Sequence, residues 1–277
     1  MPHGLFHQLE SFYDAIPRID ARAEQHGALT LFVRDGEGFP YYARPSVDGG
    51  EPTAVDVRLV RDRQRELGVA EAFEWVHETT PGLLAVLEHL GFAVLRAPLM
   101  VLDKPLVAPE VDAALRVLDP DAAGFLEDVA VVQTVAQLSF STPGTHKGDT
   151  GPKDRDTLLP TVIPVHVPKF RYALAEDATD GAVAAGMTQT AGAVAEVVGV
   201  GTLPFARRRG LGAAITAVLA RDALDRGAER VFLSAGSEDI ARVYERVGFR
   251  RIGTACVAEA EAGNAGPVNA EAGNGAA

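Results

Sequence analysis

Residues 204–212 read Pro204-Phe205-Ala206-Arg207-Arg208-Arg209-Gly210-Leu211-Gly212. They lie between an apolar run, Val194–Thr202, and a periodic segment, 212–226, closed by Gly227. The run reads as a strand and the segment as a helix. A helix N-terminus exposes unpaired N–H groups and the positive end of its dipole. Glycines let an anion approach the backbone and neighbouring arginines add charge, so the stretch reads as a pyrophosphate cradle. A Walker loop would need Gly-Lys-Ser/Thr, which is absent. A dinucleotide turn would need Gly or Ala at 215, where Ile215 stands, and an acid at the end of the next strand. The plainer alternative is a glycine-rich turn with solvent-exposed arginines.

Working outward, 231–234 reads as a strand, Glu238–Val247 as a helix stopped by Gly248, and 250–257 as a last strand. Upstream, 170–175 and 182–190 read as strands joined at Asp180-Gly181, and 121–138 as a helix after a strand at 113–118. Segment 141–156 is polar and rich in Gly and Pro, which reads as a long loop. Nearer the start, the pattern predicts a helix over 5–16, a strand over 28–34, a turn at 35–38 and a return strand over 41–44. Ala54–Leu67 reads as a helix with Gly68 as its C-cap. Ala72–Val76 reads as a strand, 81–90 as a short helix and Phe92–Leu102 as a strand. From Ala260 onward the chain is Ala, Gly, Asn and Glu, with too little apolar area to offset its ordering entropy, and 259–277 is expected to be disordered.

The two halves repeat. Residues 83–92 read LLAVLEHLGF and 240–249 read IARVYERVGF; each follows a longer helix, a Gly cap (Gly68, Gly227) and a strand. Two copies of one mixed α/β unit are expected, with boundaries at 1–105 and 106–258.

Pro204-x-x-Arg207-Arg208-x-Gly210-Leu211-Gly212, followed by Tyr244-x-x-x-Gly248-Phe249, resembles the coenzyme A-binding core of the GNAT superfamily of N-acetyltransferases, over about residues 170–257. The resemblance implies a mixed α+β fold of two tandem GNAT-like domains, each a twisted, mostly antiparallel sheet flanked by helices. It implies that Val200, Gly201 and Thr202 hold the pantetheine arm and the thioester carbonyl. Loop residues Arg207, Arg208, Arg209, Gly210, Leu211, Gly212 and Ala213 would then hold the pyrophosphate. Tyr244 would protonate the departing thiolate; Ser237 occupies the place where the family often has Asn, seven residues before that Tyr. Glu196, in Ala195-Glu196-Val197-Val198, stands where some histone-type members place a general base, and alternation puts it on one face with Val194, Val198 and Val200. The first copy has Leu87 in place of Tyr244 and the acidic stretch Asp48-Gly49-Gly50-Glu51-Pro52 in place of the cradle. It is expected to be a degenerate domain that does not bind coenzyme A. Several tandem members of the superfamily, mycothiol synthase among them, share a plan of one competent and one reduced domain.

Residue chemistry agrees with the resemblance. Amine attack on a thioester needs a neutral amine, a donor for the developing oxyanion and an acid for the sulfur. The expected reaction is transfer of acetyl from acetyl-CoA to a primary amine, small molecule or peptide, by direct attack. The alternatives are a non-catalytic acyl-CoA or small-ligand sensor, or a scaffold whose N-terminal copy mediates a homodimer. Asp149, Asp154 and Asp156 of the 141–156 loop are candidates to meet an amine.

Composition sets the outer bounds. Of 277 residues, 47% are hydrophobic and 23% charged, as in a globular protein, and the net charge of −12 disfavours nucleic acid as a partner. No apolar run is long enough to span a bilayer, no signal peptide is legible, and a cytoplasmic location follows as the expectation. Cys256 is the single cysteine; His3 and His7, four apart, have no further ligands nearby, so no metal is expected.

Overall fold

The computed structural model describes residues 2–34, 36, 40–142 and 144–260; the predicted turn at 35–38 lies mostly, and the predicted disordered tail almost wholly, outside these residues. In chain order the elements are α1 (Pro2–Ala15), β1 (Ala21–His26), β2 (Leu29–Arg34), β3 (Arg44–Pro45), α2 (Ala54–Leu67), β4 (Ala72–Val76), α3 (Gly82–His89) and β5 (Phe92–Leu102). Then follow β6 (Ala114–Val117), α4 (Phe125–Phe140), α5 (Pro152–Leu158), β7 (Arg171–Asp177), β8 (Gly181–Ala191) and β9 (Val194–Thr202). The chain closes with α6 (Leu211–Asp225), β10 (Arg230–Ser234), α7 (Glu238–Val247) and β11 (Phe249–Ala260). None of the described helices is long and apolar enough to cross a membrane.

Two compact units form. Among the described residues, one comprises 2–97 and 253–260; the other is Pro98–Ile252. The expected boundary at 105/106 is therefore displaced, because β5 and β11 each begin in one unit and end in the other.

In the second unit the strand order is β5-β10-β9-β8-β7-β6. All neighbours are antiparallel except β9 and β10, which run parallel. Alternation along β7 sends Ala173 and Ala175 into one apolar cluster with α6 residues such as Ile215 and Leu219. It sends Tyr172 and Leu174 into another with Val129, Val132 and Val135 of α4. The sheet thus has α6 and α7 on one face and α4 on the other.

In the first unit β1, β2 and β3 form an antiparallel sheet, and β4 pairs antiparallel with β11. The core collects Val57 and Val60 of α2, Phe73 and Trp75 of β4, and Leu83 and Leu87 of α3. Strand β1 was not expected: ARAEQH is mostly polar, and its pairing with β2, not its own apolar pattern, makes it a strand. The expected return strand at 41–44 is reduced to Arg44–Pro45.

The repeat extends to strand register. Phe73, five residues after Gly68, pairs with Ala258, nine after Phe249. Phe232, five residues after Gly227, pairs with Val101, nine after Phe92. The last strand of each repeat therefore partners the strand that follows the long helix of the other repeat, at the same offset. A parallel bridge between Ala43 and Phe73 matches the parallel pair Glu196–Phe232, so Ala43 is the counterpart of Glu196.

Candidate active site

The parallel pairing of β9 with β10 covers only Val194–Arg230, Ala195–Val231 and Glu196–Phe232. Beyond it β10 continues against β5, pairing Leu233 with Met100 and Ser234 with Leu99, while β9 continues against β8 as far as Thr202. The two strands part at Glu196/Phe232, and the side of β9 that faced β10 is left without a strand from Val197 onward. The register between β8 and β9 shifts here: Met187 pairs with Val198 but Ala185 with Gly201, and Gly199 has φ +61°. This is a bulge, and glycine supplies the left-handed backbone it needs.

The bulge corrects one expectation. Val200 packs with α6 in the same cluster as Ala195 and Val197, whereas a Cβ on Gly201 would lie 2.8 Å from the Ser139 Cβ of α4. Glu196 and Val198 therefore share the α4 face and Val200 does not, because the extra residue reverses the alternation. Glu196 is fully buried, with Gln189 of β8 as its cross-strand neighbour. Sequence reasoning missed Gln189, since a cross-strand partner is set by register.

The stretch expected to form the cradle leads into α6. Its N-cap is Gly210, φ +81°, with no side-chain capping bond, and the first amide in the helix hydrogen-bond series is that of Ala214, on the Gly210 carbonyl. The N–H groups of the turn before it, Leu211, Gly212 and Ala213, are the orphan donors of a helix start. An anion is the partner such a terminus fits. The equivalent terminus of α2 is closed: Thr53 Oγ1 accepts from the Asp56 amide and Asp56 accepts from the Thr53 amide, a reciprocal capping box.

The three arginines divide. Arg208 is exposed, at φ +68°. Arg209 donates to Asp177 Oδ2 at 2.6 Å and to the Asp112 carbonyl at 3.2 Å, and this bond, with the Thr179 and Asp180 amides, holds the Asp177 carboxyl below its usual range. Arg207, expected among the pyrophosphate ligands, instead turns its guanidinium inward onto main-chain carbonyls, including Ser139 and Thr142, both at 2.7 Å. Its side chain is therefore held away from the cradle.

Tyr244 is 5% exposed, in the cluster of α6 and α7. Burial pushes its hydroxyl up to about 12, and the nearby Thr216 hydroxyl pulls the other way. The Thr216 hydroxyl donates to the Gly212 carbonyl at 2.8 Å, within the first turns of α6. Thr216 was not anticipated; its position one turn after Gly212 was the available signal. Ser237 is the N-cap of α7, its Oγ accepting from the Ile240 amide at 3.3 Å. The 141–156 stretch is not the free loop expected: Pro152–Leu158 is helical, Asp154 accepts from the Gly151 amide, and Asp156 pairs with Arg155. Two of its three candidate carboxylates are thus committed, and Asp149 remains. In the first unit Leu87 is fully buried, and His7 lies 3.9 Å from Asp48.

The site is therefore a parted pair of parallel strands, β9 and β10, with a helix that lacks a side-chain cap at the end of β9. Residues 165–249 match the model of the acetyltransferase (GNAT) family. The fold is shared more widely. A GCN5-related N-acetyltransferase from Kribbella flavida is 23% identical, with 93% of this chain and 96% of that one covered and a TM-score of 0.70. A functionally unknown conserved protein from Staphylococcus epidermidis is 14% identical, covering 90% and 97%, with a TM-score of 0.58. A GCN5-related N-acetyltransferase-like protein from Streptococcus suis is 14% identical, covering 94% and 99%, with a TM-score of 0.52. These likenesses concern the fold. No curated protein sequence matches the chain.

Proposed function

We propose that the chain transfers an acetyl group from acetyl-CoA to a primary amine, using one donor site per chain, in the second unit. The observation that carries this reading is the contrast between the open α6 terminus beside the parted strands and the side-chain-capped α2 terminus. Acetyl-CoA supplies the thioester. Amides of Arg208, Arg209, Gly210, Leu211, Gly212 and Ala213 take its pyrophosphate, with Arg208 as the nearby mobile charge. The backbone of Val200, Gly201 and Thr202 aligns the pantetheine arm. Tyr244 keeps its proton across the neutral range and gives it to the leaving sulfur. Glu196 takes the proton of the attacking amine from the α4 face. Ala43 and Leu87 stand at the counterparts of Glu196 and Tyr244, which supports a first copy without the chemistry. The net charge of −12 favours a cationic acceptor over nucleic acid.

Calorimetric titration of the coenzyme-stripped protein with acetyl-CoA tests the reading. One site per chain is expected, followed by turnover in an amine screen. Two sites would overturn the assignment of the first unit. Absence of binding at millimolar ligand would overturn the donor site itself, and binding without turnover on any amine would favour the sensor alternative.

A further inference from the structure

Arg207 is only 8% exposed and donates to four carbonyls: Nη2 to Ser139 and Thr142 at 2.7 Å each, Nη1 to His146 at 3.1 Å, and Nε to Thr202 at 3.3 Å. A buried guanidinium demands such acceptors. Three of them belong to the end of α4 and the stretch after it; the fourth is the last residue of β9. Further contacts follow the same line. The Gly148 amide donates to the Pro204 carbonyl and the Phe205 amide to the Thr150 carbonyl, both at 3.1 Å. A Cβ on Gly148 would lie 3.1 Å from Pro204, and one on Gly151 would lie 3.1 Å from the Phe205 ring. The described residues of 141–151 contain no helix or strand. Their order is supplied by these bonds to 202–207, the link between β9 and the cradle.

We propose that Arg207 is a positioning residue that couples the cradle to residues 139–151, so that acetyl-CoA filling the cradle orders this segment. The inference rests on the donor site proposed above. Arg207 directly precedes the amides that would hold the pyrophosphate, so a ligand that fixes them fixes the origin of its side chain. The guanidinium then transmits that restraint to three carbonyls across the segment. Coupling of this kind is reciprocal: an ordered segment also tightens the donor site.

Hydrogen exchange on the full chain, with and without acetyl-CoA, tests the coupling in the wild type, Arg207→Met and Arg207→Lys. In the wild type acetyl-CoA is expected to slow exchange at the Gly148 and Phe205 amides by on the order of 5- to 150-fold. In Arg207→Met both amides exchange faster without ligand, and the ligand-dependent slowing disappears. Helix α2 serves as the control for folding. An ammonium has three donors for four acceptors, so Arg207→Lys retains part of the slowing, and it carries the test should Arg207→Met not fold. A purely structural side chain would speed exchange equally in both states and leave the slowing intact; that result overturns the proposal. Wild-type binding of acetyl-CoA without slowing overturns the coupling alone. No binding overturns the coupling and the donor site together.

Discussion

Substitution of Gly210 separates the backbone requirement of the cradle from its ligand requirement. Gly210 has φ +81°, and an added Cβ would meet only the Val111 side chain, at 3.4 Å, an ordinary contact. Steric crowding is therefore minor, and the cost of Gly210→Ala is that of a left-handed residue, about 1–2 kcal/mol. For a protein of this size that lowers Tm by about 2–8 °C. Gly210→Asn tolerates the same conformation better and is expected to recover most of that loss. Binding follows a different logic. Each hydrogen bond to a charged group contributes about 1.5–3 kcal/mol, so tilting one amide out of line weakens acetyl-CoA binding by about 10- to 150-fold. Asn regains the backbone angle but still places a side chain at the helix start. The expected pattern is a normal Tm with weakened binding for Gly210→Asn, and loss of both for Gly210→Ala. Differential scanning fluorimetry and calorimetry read the two quantities separately. Acetyl-CoA affinity within twofold of wild type for Gly210→Ala would refute the placement of the pyrophosphate.

Tyr244→Phe is expected to lower kcat by about 10²–10⁴ with an amine found in the screen, with acetyl-CoA affinity unchanged. The raised folded-state value of about 12 also predicts a pH signature. The stability Tyr244 lends is complete below its unfolded value of about 10 and is lost as pH rises from there through the folded one. Urea midpoints measured from pH 9 to 12 should therefore fall more steeply for wild type than for Tyr244→Phe. Asp177, held low chiefly by Arg209, acts oppositely: its contribution is present above the unfolded carboxylate value and fades as pH falls through the depressed one. Asp177→Asn should flatten the acid limb of an unfolding curve; an unchanged limb would remove Arg209 from that role. Thr53→Ala opens the capping box of α2 at a cost of about 1 kcal/mol, read as a drop in Tm, without adding a second acetyl-CoA site. A fragment of residues 106–258 lacks the β5 residues that pair with β10, and circular dichroism should show it unfolded.

What could be read in advance was whatever rests on local periodicity. Ala54–Leu67, Ala72–Val76, Phe92–Leu102, Val194–Thr202 and Glu238–Val247 have the expected bounds, because each carries its apolar pattern and stop signals within itself. The turn from β9 into α6 was legible for the same reason: a glycine-rich strand-to-helix turn is a local object. Features fixed by register or distant partners were hidden. The Gly199 bulge moves Val200 to the other face, and nothing in Val-Val-Gly-Val-Gly says which glycine bulges. Arg207 looked like its two neighbours until three of its four acceptors, more than 60 residues earlier, came into view. Strand β1 and helix α5 have no sustained apolar period; one depends on its partner strand, the other on Pro152 and the Asp154 cap.

The repeated architecture exposes a competition between stability and binding at a helix start. In both repeats a long helix follows the residue that makes the parallel contact, Ala43 or Glu196, so each presents the same orphan donors at the same topological place. The first repeat satisfies them internally: Thr53 sits in extended backbone, φ −101°, where its hydroxyl reaches the Asp56 amide, and Asp56 adds a negative charge that repels phosphate. The second repeat enters its helix through a left-handed glycine, φ +81°, from which no side chain can cap. The choice is made in the backbone before any side chain acts. Thr at 210 would clash with that φ, and Gly at 53 would remove the cap without supplying arginines or removing Asp48 and Glu51. Several coordinated changes would be needed to convert one terminus into the other. The two helix starts thus differ while their strands keep the same register, which is the ground for proposing a single donor site per chain.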